Sequence, residues 1–288
     1  MRSSLKNKQV SIAGSGIAGL VSALLLKKNG FNPVLHEKSS HCGKNRHGDF
    51  EGLESWNLNP NPILNLEKLG IDLSFNCHPF SQFKVHIPDR ESISIKSPEP
   101  FFYIVSRGDQ PGDLDYELQK QVQQQNIKIN FNSNIKKDKV DIVSTGSKEV
   151  DAYIRGAVFK ANYKDQIHLI LGNDIAPYGY GYLIIINGMG TLAVAYKNKN
   201  KKLEPVLKNL LKFSSYHLDI NIPDYKEFSS YGSFNINKKK VDSLGRLYIG
   251  EAGGFQDYLF GFGIQYAIES AVLAAKSYKT KKSFNVLW

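Results

Sequence analysis

V-S-I-A-G-S-G-I-A-G-L-V-S-A-L-L-L-K-K-N-G-F-N-P-V-L-H-E-K, Val10 to Lys38, carries a strand, a glycine-rich turn, a helix and a second strand in that order. Residues 10–13 form a short apolar strand, and Gly14, Gly16 and Gly19 follow in the G-x-G-x-x-G spacing. Gly14 permits the tight turn, Gly16 lets a pyrophosphate approach the backbone, and Gly19 lets helix and strand pack closely. Residues 17–28 read as an amphipathic helix that stops at Gly30, and its N-terminus offers free N–H groups to phosphate. The second strand, residues 33–36, ends at Glu37. That acid lies eighteen residues after Gly19, close to the spacing of about 20 at which a carboxylate meets an adenosine ribose. The ordered set points to dinucleotide binding, where the three glycines alone would describe only a strand-to-helix turn.

The chain has 288 residues, enough to bury one large core or two joined ones. Hydrophobic residues make up 41% and charged residues 22%, an ordinary balance for a globular protein. No apolar run of about 18 residues is present to span a membrane. The opening M-R-S-S-L-K-N-K runs straight into the first strand, so no apolar leader is expected and the location read from sequence is cytoplasmic. Cys42 and Cys77, the only two cysteines, are too few for a multi-cysteine zinc site or a disulfide framework.

The net charge of +10 gathers in lysine-rich segments: Lys197, Lys199, Lys201 and Lys202; Lys238 to Lys240; and Lys276, Lys279, Lys281 and Lys282. Solvated loops are one account of them. Attraction to an anionic membrane surface or to an acidic electron-transfer protein is the other. Nucleic acid is not supported, because no recognised binding module and no basic-aromatic alternation occur.

Beyond Glu37, Gly43, Gly48 and Gly52 punctuate a loop around Arg46. Residues 61–69 read as a helix stopped by Gly70, and residues 80–87 and 92–96 as antiparallel strands. A strand over 101–105 precedes Arg107 and a helix over 113–125. Short buried strands are expected at 127–131 and 140–143. An all-β region covers residues 154–162, 166–171, 181–187 and 191–196, and a helix covers 203–213 with its leucines on one face. A last strand at 247–250 and a helix at 264–276 close the pattern. The alternation of α/β and β segments indicates two interleaved domains.

The stretch G-R-L-Y-I-G-E-A-G-G-F-Q-D-Y-L-F-G-F-G-I-Q-Y-A-I-E-S-A, from Gly245, is a strand, an acid, a glycine-rich loop and a helix with small residues. It resembles the G-D-A-A-G…G-x-G-I…A segment of the geranylgeranyl reductase-like flavoproteins, a branch of the group that includes the flavin hydroxylases. The resemblance implies non-covalent FAD, with Glu251 on the ribityl hydroxyls. It places the backbones of Gly261 and Gly263 toward the isoalloxazine and Ile264 at the start of the facing helix. It also implies cofactor contacts from Arg107 and from Arg46. Gly14, Gly16, Ile17, Ala18, Gly19, Glu37, Lys38, Ile129 and Gly146 complete the expected cofactor set. D-I-V-S-T-G, ending at Gly146, is similar in order to the family's second strand-end motif. P-Y-G-Y-G-Y-L-I-I, from Pro177, resembles its Pro-x-x-Tyr-x-Trp-x-Phe cavity motif, with Tyr182 and Ile184 where Trp and Phe are usual.

The resemblance covers most of the chain. It departs at Glu251 for Asp, Thr145 for Asp, Tyr258 for Pro, Phe262 between the last glycines, and in the short C-terminal end, which implies a more open substrate cavity. The implied fold is α/β: a Rossmann-like, glutathione-reductase-like FAD-binding domain interleaved with a smaller antiparallel β-sheet substrate domain. Residues 1–52, 101–150 and 238–280 fall to the first, 53–100 and 151–237 to the second, and 281–288 to a tail. The implied activity is hydride transfer from reduced flavin to a C=C bond of an apolar, isoprenoid or lipid-like substrate. Tyr180 or water is the proton source, and NAD(P)H or ferredoxin the electron donor. Two other readings stand: a monooxygenase of a small aromatic, and a flavin-binding protein without turnover. Cys42, in H-C-G-K-N-R, is read either as a flavin-proximal thiol or as a plain unpaired one.

Overall fold

The computed structural model describes residues 8–55, 61–197, 205–257 and 261–288. Lys199, Lys201, Lys202, Leu203 and Tyr258, all singled out from the sequence, lie outside these residues. The chain opens with β1 (Gln9–Ala13), α1 (Ile17–Lys28), β2 (Asn32–His36), β3 (Asp49–Glu54), α2 (Pro62–Leu69) and β4 (Cys77–Phe80). It continues through β5 (Gln82–His86), β6 (Ile93–Lys96), β7 (Phe102–Arg107), α3 (Leu114–Gln124), β8 (Lys128–Asn130) and β9 (Ile142–Val143). β10 (Ala152–Lys160), β11 (Gln166–Ile170), β12 (Tyr180–Ile186) and β13 (Met189–Tyr196) form the β-rich middle. α4 (Val206–Leu218), β14 (Lys226–Gly232), β15 (Leu247–Tyr248), α5 (Ile264–Thr280) and α6 (Phe284–Leu287) complete it.

β1 pairs in parallel with β2 on one side and β9 on the other, and β8 and β15 extend the two flanks in parallel. Numbered within this five-stranded sheet by chain order, the arrangement is 3-2-1-4-5. Its order reverses between β1 and β9, the place where an open α/β sheet leaves a crevice at its strands' carboxyl ends. Ala13 is in register with both His36 and Val143, so Gly14, Glu37 and Ser144 emerge at one edge.

α1 departs from the expected amphipathic helix. Every residue from Ile17 to Leu26 is buried, because α3 and α5 pack against it as well as the sheet. A helix covered all round has no use for a polar face. Gly19 makes the contact with the strand possible: a Cβ there would stand 2.2 Å from the Gly14 carbonyl oxygen.

The remaining strands build a three-stranded antiparallel sheet, β3-β7-β4, and a seven-stranded sheet, β14-β10-β13-β12-β11-β5-β6. The second sheet is neither smaller than the first in strand number nor wholly antiparallel, since β5 lies parallel to β11. β3 takes up part of the loop expected after Glu37, and β14 adds a strand beyond those expected from the sequence. α4 packs on one face of the seven-stranded sheet over a core that includes Ile170, Leu183, Val194 and Phe213. The other face meets the small sheet through Phe50, Phe102, Ile104, Ile167, Ile184 and Ile186. Among the described residues no helix is long and apolar enough to cross a membrane.

An ion-pair network ties the small sheet to α3. Arg107, 4% exposed at the end of β7, donates to both carboxylate oxygens of Asp115, at 2.7 and 3.0 Å. Its third nitrogen reaches Glu51 at 2.5 Å, and Arg46 reaches the other oxygen of Glu51 at 2.9 Å. Burial opposes ionisation of Asp115, but the Arg107 guanidinium outweighs it and holds the carboxyl below the usual carboxylate range. A depressed folded value makes this contribution complete above the unfolded carboxyl's value near 3.9, and it fades as pH falls through the folded one. Asp115→Asn leaves half of a bidentate pair unmet in a buried place, so urea unfolding at neutral pH should show a loss of about 3 kcal/mol. The variant should also lose part of the acid sensitivity of the parent; equal stability at neutral pH would contradict this role.

Candidate functional site

One cavity of about 1340 Å³ opens at the carboxyl edge of the parallel sheet and runs between it and the seven-stranded sheet. It exceeds the range of about 300–1,000 Å³ usual for a single small ligand. Gly14, Gly16, Ile17, Ala18, Glu37, Lys38, Arg46, Arg107, Gly146, Glu251, Gly261, Gly263 and Ile264 all line it, as does Tyr180. Gly19 and Ile129 do not. Gly19 is taken up by the helix–strand contact, and Ile129, opposite Leu35 in β8, packs against the core beneath the parallel sheet.

The nucleotide end is built from strand termini. Gly14 adopts φ +93°, a backbone that favours glycine, and a Cβ on it would stand 2.5 Å from the Ser144 carbonyl oxygen. Gly16 differs: it is exposed, and nothing lies within 4 Å of the place its Cβ would take. It is the N-cap of α1 and carries no side chain to occupy the first-turn N–H groups, so the helix presents those donors to the cavity. Glu37 accepts from the backbone N–H and the hydroxyl of Ser15, each at 2.9 Å, and from the N–H of Ser39 at 2.9 Å. These bonds hold its carboxylate across the mouth of the glycine turn. The sequence did not single out Ser15; a hydroxyl within the glycine motif is the signal that was there to read.

Cys42 donates its S–H to the Ser15 hydroxyl at 2.9 Å and is 2% exposed. Burial pushes its thiol up to about 12, against the Ser15 hydrogen bond. Cys42 therefore stays a neutral thiol behind the glycine turn and does not line the cavity.

The middle of the cavity is acidic and basic by turns. Gly146 has φ +70°, and a Cβ on it would meet a Glu251 carboxylate oxygen at 3.3 Å. Glu251 accepts from the Ser233 N–H at 3.1 Å, and burial raises its carboxyl above the usual range. Asp49, on β3, is 5% exposed and is also raised, chiefly by burial and then by Glu51. Lys238 turns inward to the Ser147 and Ser233 hydroxyls and to the Glu251 carbonyl oxygen, and Lys240 lies over the Phe255 ring. Two of the three lysines in that run thus serve the fold and are not a free basic surface.

The far end is a chamber of apolar side chains on the seven-stranded and small sheets, among them Phe83, Phe101, Phe102, Ile167, Ile184 and Phe228. Tyr180 and Tyr182 project from the same face of β12, their rings 6.2 Å apart. Burial, then Asp257 and Glu51, raises the Tyr180 phenol, and burial, then Asp49, raises that of Tyr182. Both phenols are protonated at neutral pH. Among the described residues no group of three or more His, Cys, Asp or Glu is placed to hold a metal ion.

A family model described as an NAD(P)-binding Rossmann-like domain matches residues 12–50. No curated protein matches the chain. A solved geranylgeranyl bacteriochlorophyll reductase-like protein from Thermoplasma acidophilum superposes with a TM-score of 0.75 at 20% identity, over 98% of this chain and 80% of that one. CtdE, solved in complex with FAD and a substrate, gives 0.68 at 17% identity over 98% and 83%. The 2-methyl-3-hydroxypyridine-5-carboxylic acid oxygenase gives 0.65 at 15% identity over 98% and 85%. What the chain shares with these proteins is the fold, a Rossmann-like domain with a parallel sheet joined to a separate mixed sheet.

Proposed function

We propose that the chain is an FAD-dependent oxidoreductase that reduces a C=C bond of an apolar, isoprenoid or other lipid-like substrate. The observation that carries this reading is the continuity of the cavity, from an open glycine turn with a poised carboxylate to an aromatic and aliphatic chamber. The fit to FAD rests on three features. The space over Gly16 is open to a pyrophosphate, the α1 N-terminus supplies donors to it, and Glu37 stands at the end of β2 for a ribose. Glu251 and Gly146 would hold the ribityl chain, with Gly261, Gly263 and Ile264 at the pyrimidine side. Lys38, Ala18 and Ile17 flank the nucleotide. Arg107 is committed to Asp115 and Glu51, so its part is to fix the wall beside the cofactor, with Arg46 nearer the solvent side.

When bound, the flavin supplies hydride at N5 to the substrate alkene. The apolar chamber orients the alkene and excludes water. Tyr180 holds a proton at its phenolic oxygen for the second carbon, and burial keeps that proton in place until the substrate carbon demands it. The similarity to an oxygenase supports a second reading, hydroxylation of a small aromatic in the same chamber.

Purified protein should release FAD, not FMN, on acid precipitation. Gly16→Leu should abolish FAD retention by filling the open space, and Glu37→Ala and Glu251→Ala should each weaken it by roughly 1–3 kcal/mol. Binding titrations that leave all three variants at the parent's affinity would contradict the placement.

Turnover separates the two chemistries. A polyprenyl alkene should reoxidise the reduced protein without oxygen, and Tyr180→Phe should slow that step while FAD affinity stays unchanged. Rapid oxygen uptake coupled to NAD(P)H with a phenolic substrate would instead favour hydroxylation.

Exposed lysines such as Lys239, Lys276, Lys279, Lys281 and Lys282 would let the protein visit an anionic membrane to collect such a substrate, each contributing about 1 kcal/mol near the surface. Flotation with anionic vesicles at low salt should carry the protein, and high salt should release it. Failure to float with anionic vesicles would remove the membrane from the account.

A further inference from the structure

Glu54 is the last residue of β3, two positions beyond Gly52, which lines the cavity beneath the Phe262 ring. Its side chain is 1% exposed and does not line the cavity. Neither carboxylate oxygen has a hydrogen-bond partner among the described residues, and the side-chain amide oxygens of Gln256 and Gln265 are likewise unmet. Gln265 is the second residue of α5, next to Gly263 and Ile264, which face the cavity. The backbone N–H of Gln265 acts on the Glu54 carboxyl, which places that carboxyl beside the first turn of α5, close to the expected flavin seat.

The charged groups that act on Glu54 most strongly are Asp257, from the loop before α5, and Glu269, from α5 itself, and both are acids. A buried carboxylate with acidic neighbours and no side-chain hydrogen bond is costly, whereas the protonated acid is neutral. Burial, then these acids, pushes Glu54 up to about 7, against a pull from nearby backbone N–H groups.

We propose that Glu54 is a positioning residue that couples a proton to the reduction of the bound flavin. Two electrons placed on the cofactor leave negative charge in front of the α5 N-terminus. Glu54, ionised beside the same N-terminus, competes for its positive potential. Reduction by a two-electron donor therefore draws one proton from solvent onto the Glu54 carboxylate, in addition to the proton the flavin takes itself. The neutral acid then leaves the helix potential to the flavin. This inference rests on the FAD reading above.

The test is the midpoint potential of the FAD-loaded protein against pH, by dithionite titration with a reference dye, for the parent and Glu54→Gln. The potentials should coincide at about pH 6, where Glu54 is protonated in both redox states, and separate by about pH 9. Over that range the parent should take up one more proton per two electrons than the variant, and Glu54→Gln should have the more positive potential at the alkaline end. Glu269→Gln removes one neighbouring acid and should move the onset of this separation to lower pH. Parallel potentials in parent and Glu54→Gln, with flavin bound to both, would overturn the role of Glu54 and leave the FAD reading standing. A protein that binds no FAD would overturn both.

Discussion

The contact between Gly19 and the Gly14 carbonyl is the constraint on which the rest of the structure depends. Any side chain at Gly19 would drive its Cβ to 2.2 Å from that oxygen. With hydrogen there, α1 drops onto the parallel sheet, and its N-terminus comes to rest at the edge where β1, β2 and β9 end. Ser144 closes the same edge by bonding its hydroxyl to the carbonyls of Ala13 and Gly14, at 2.8 and 2.9 Å. The crevice is thus a product of backbone packing, and its donors are main-chain groups whose direction no rotamer change can alter. Gly16, placed between two glycines that are needed for packing, is the one left open toward the cavity.

The second sheet gains its position from a different physics. β3 and β7 carry acids and an arginine where a strand next to a core would ordinarily carry apolar residues. Arg107, Asp115, Glu51 and Arg46 neutralise one another in a line that joins β7, α3, β3 and the loop before it. Such a network is a poor source of net stability, but it fixes the floor of the cavity as a unit. The phenyl and isoleucine side chains beyond it then form the apolar end without any polar group having to be buried alone. Glu54 is the exception, and it stands at the junction of this floor with α5.

Much of the nucleotide end was legible in the sequence, because glycine spacing and strand order are local. Gly14, Gly16, Gly19 and Glu37 sit where their spacing places them, and the meander from β10 to β13 shows in its alternating pattern. α1 departs from the amphipathic pattern expected of it, because the helices that cover it come from residues about 100 and 250 positions later and leave no local trace. β3 was missed because D-F-E-G-L-E places acids where a strand pattern asks for apolar residues, and the arginine that permits this lies on β7. The parallel pairing of β5 with β11 joins strands far apart in the chain. Ile129, expected among the cofactor contacts, shows the opposite case: it does not line the cavity and packs from β8 against the core.

What occupies the crevice decides whether Glu37 and the α1 N-terminus form an adenosine seat. The most direct measurement is a competition among ligands for the flavin-stripped protein, with FAD, FMN and riboflavin titrated separately and binding read from quenching of flavin fluorescence. An adenosine seat made by Glu37 and the α1 N-terminus predicts FAD binding at least roughly tenfold tighter than FMN, a difference of about 1.4 kcal/mol. Equal affinity for FAD and FMN, or binding of neither, would contradict it.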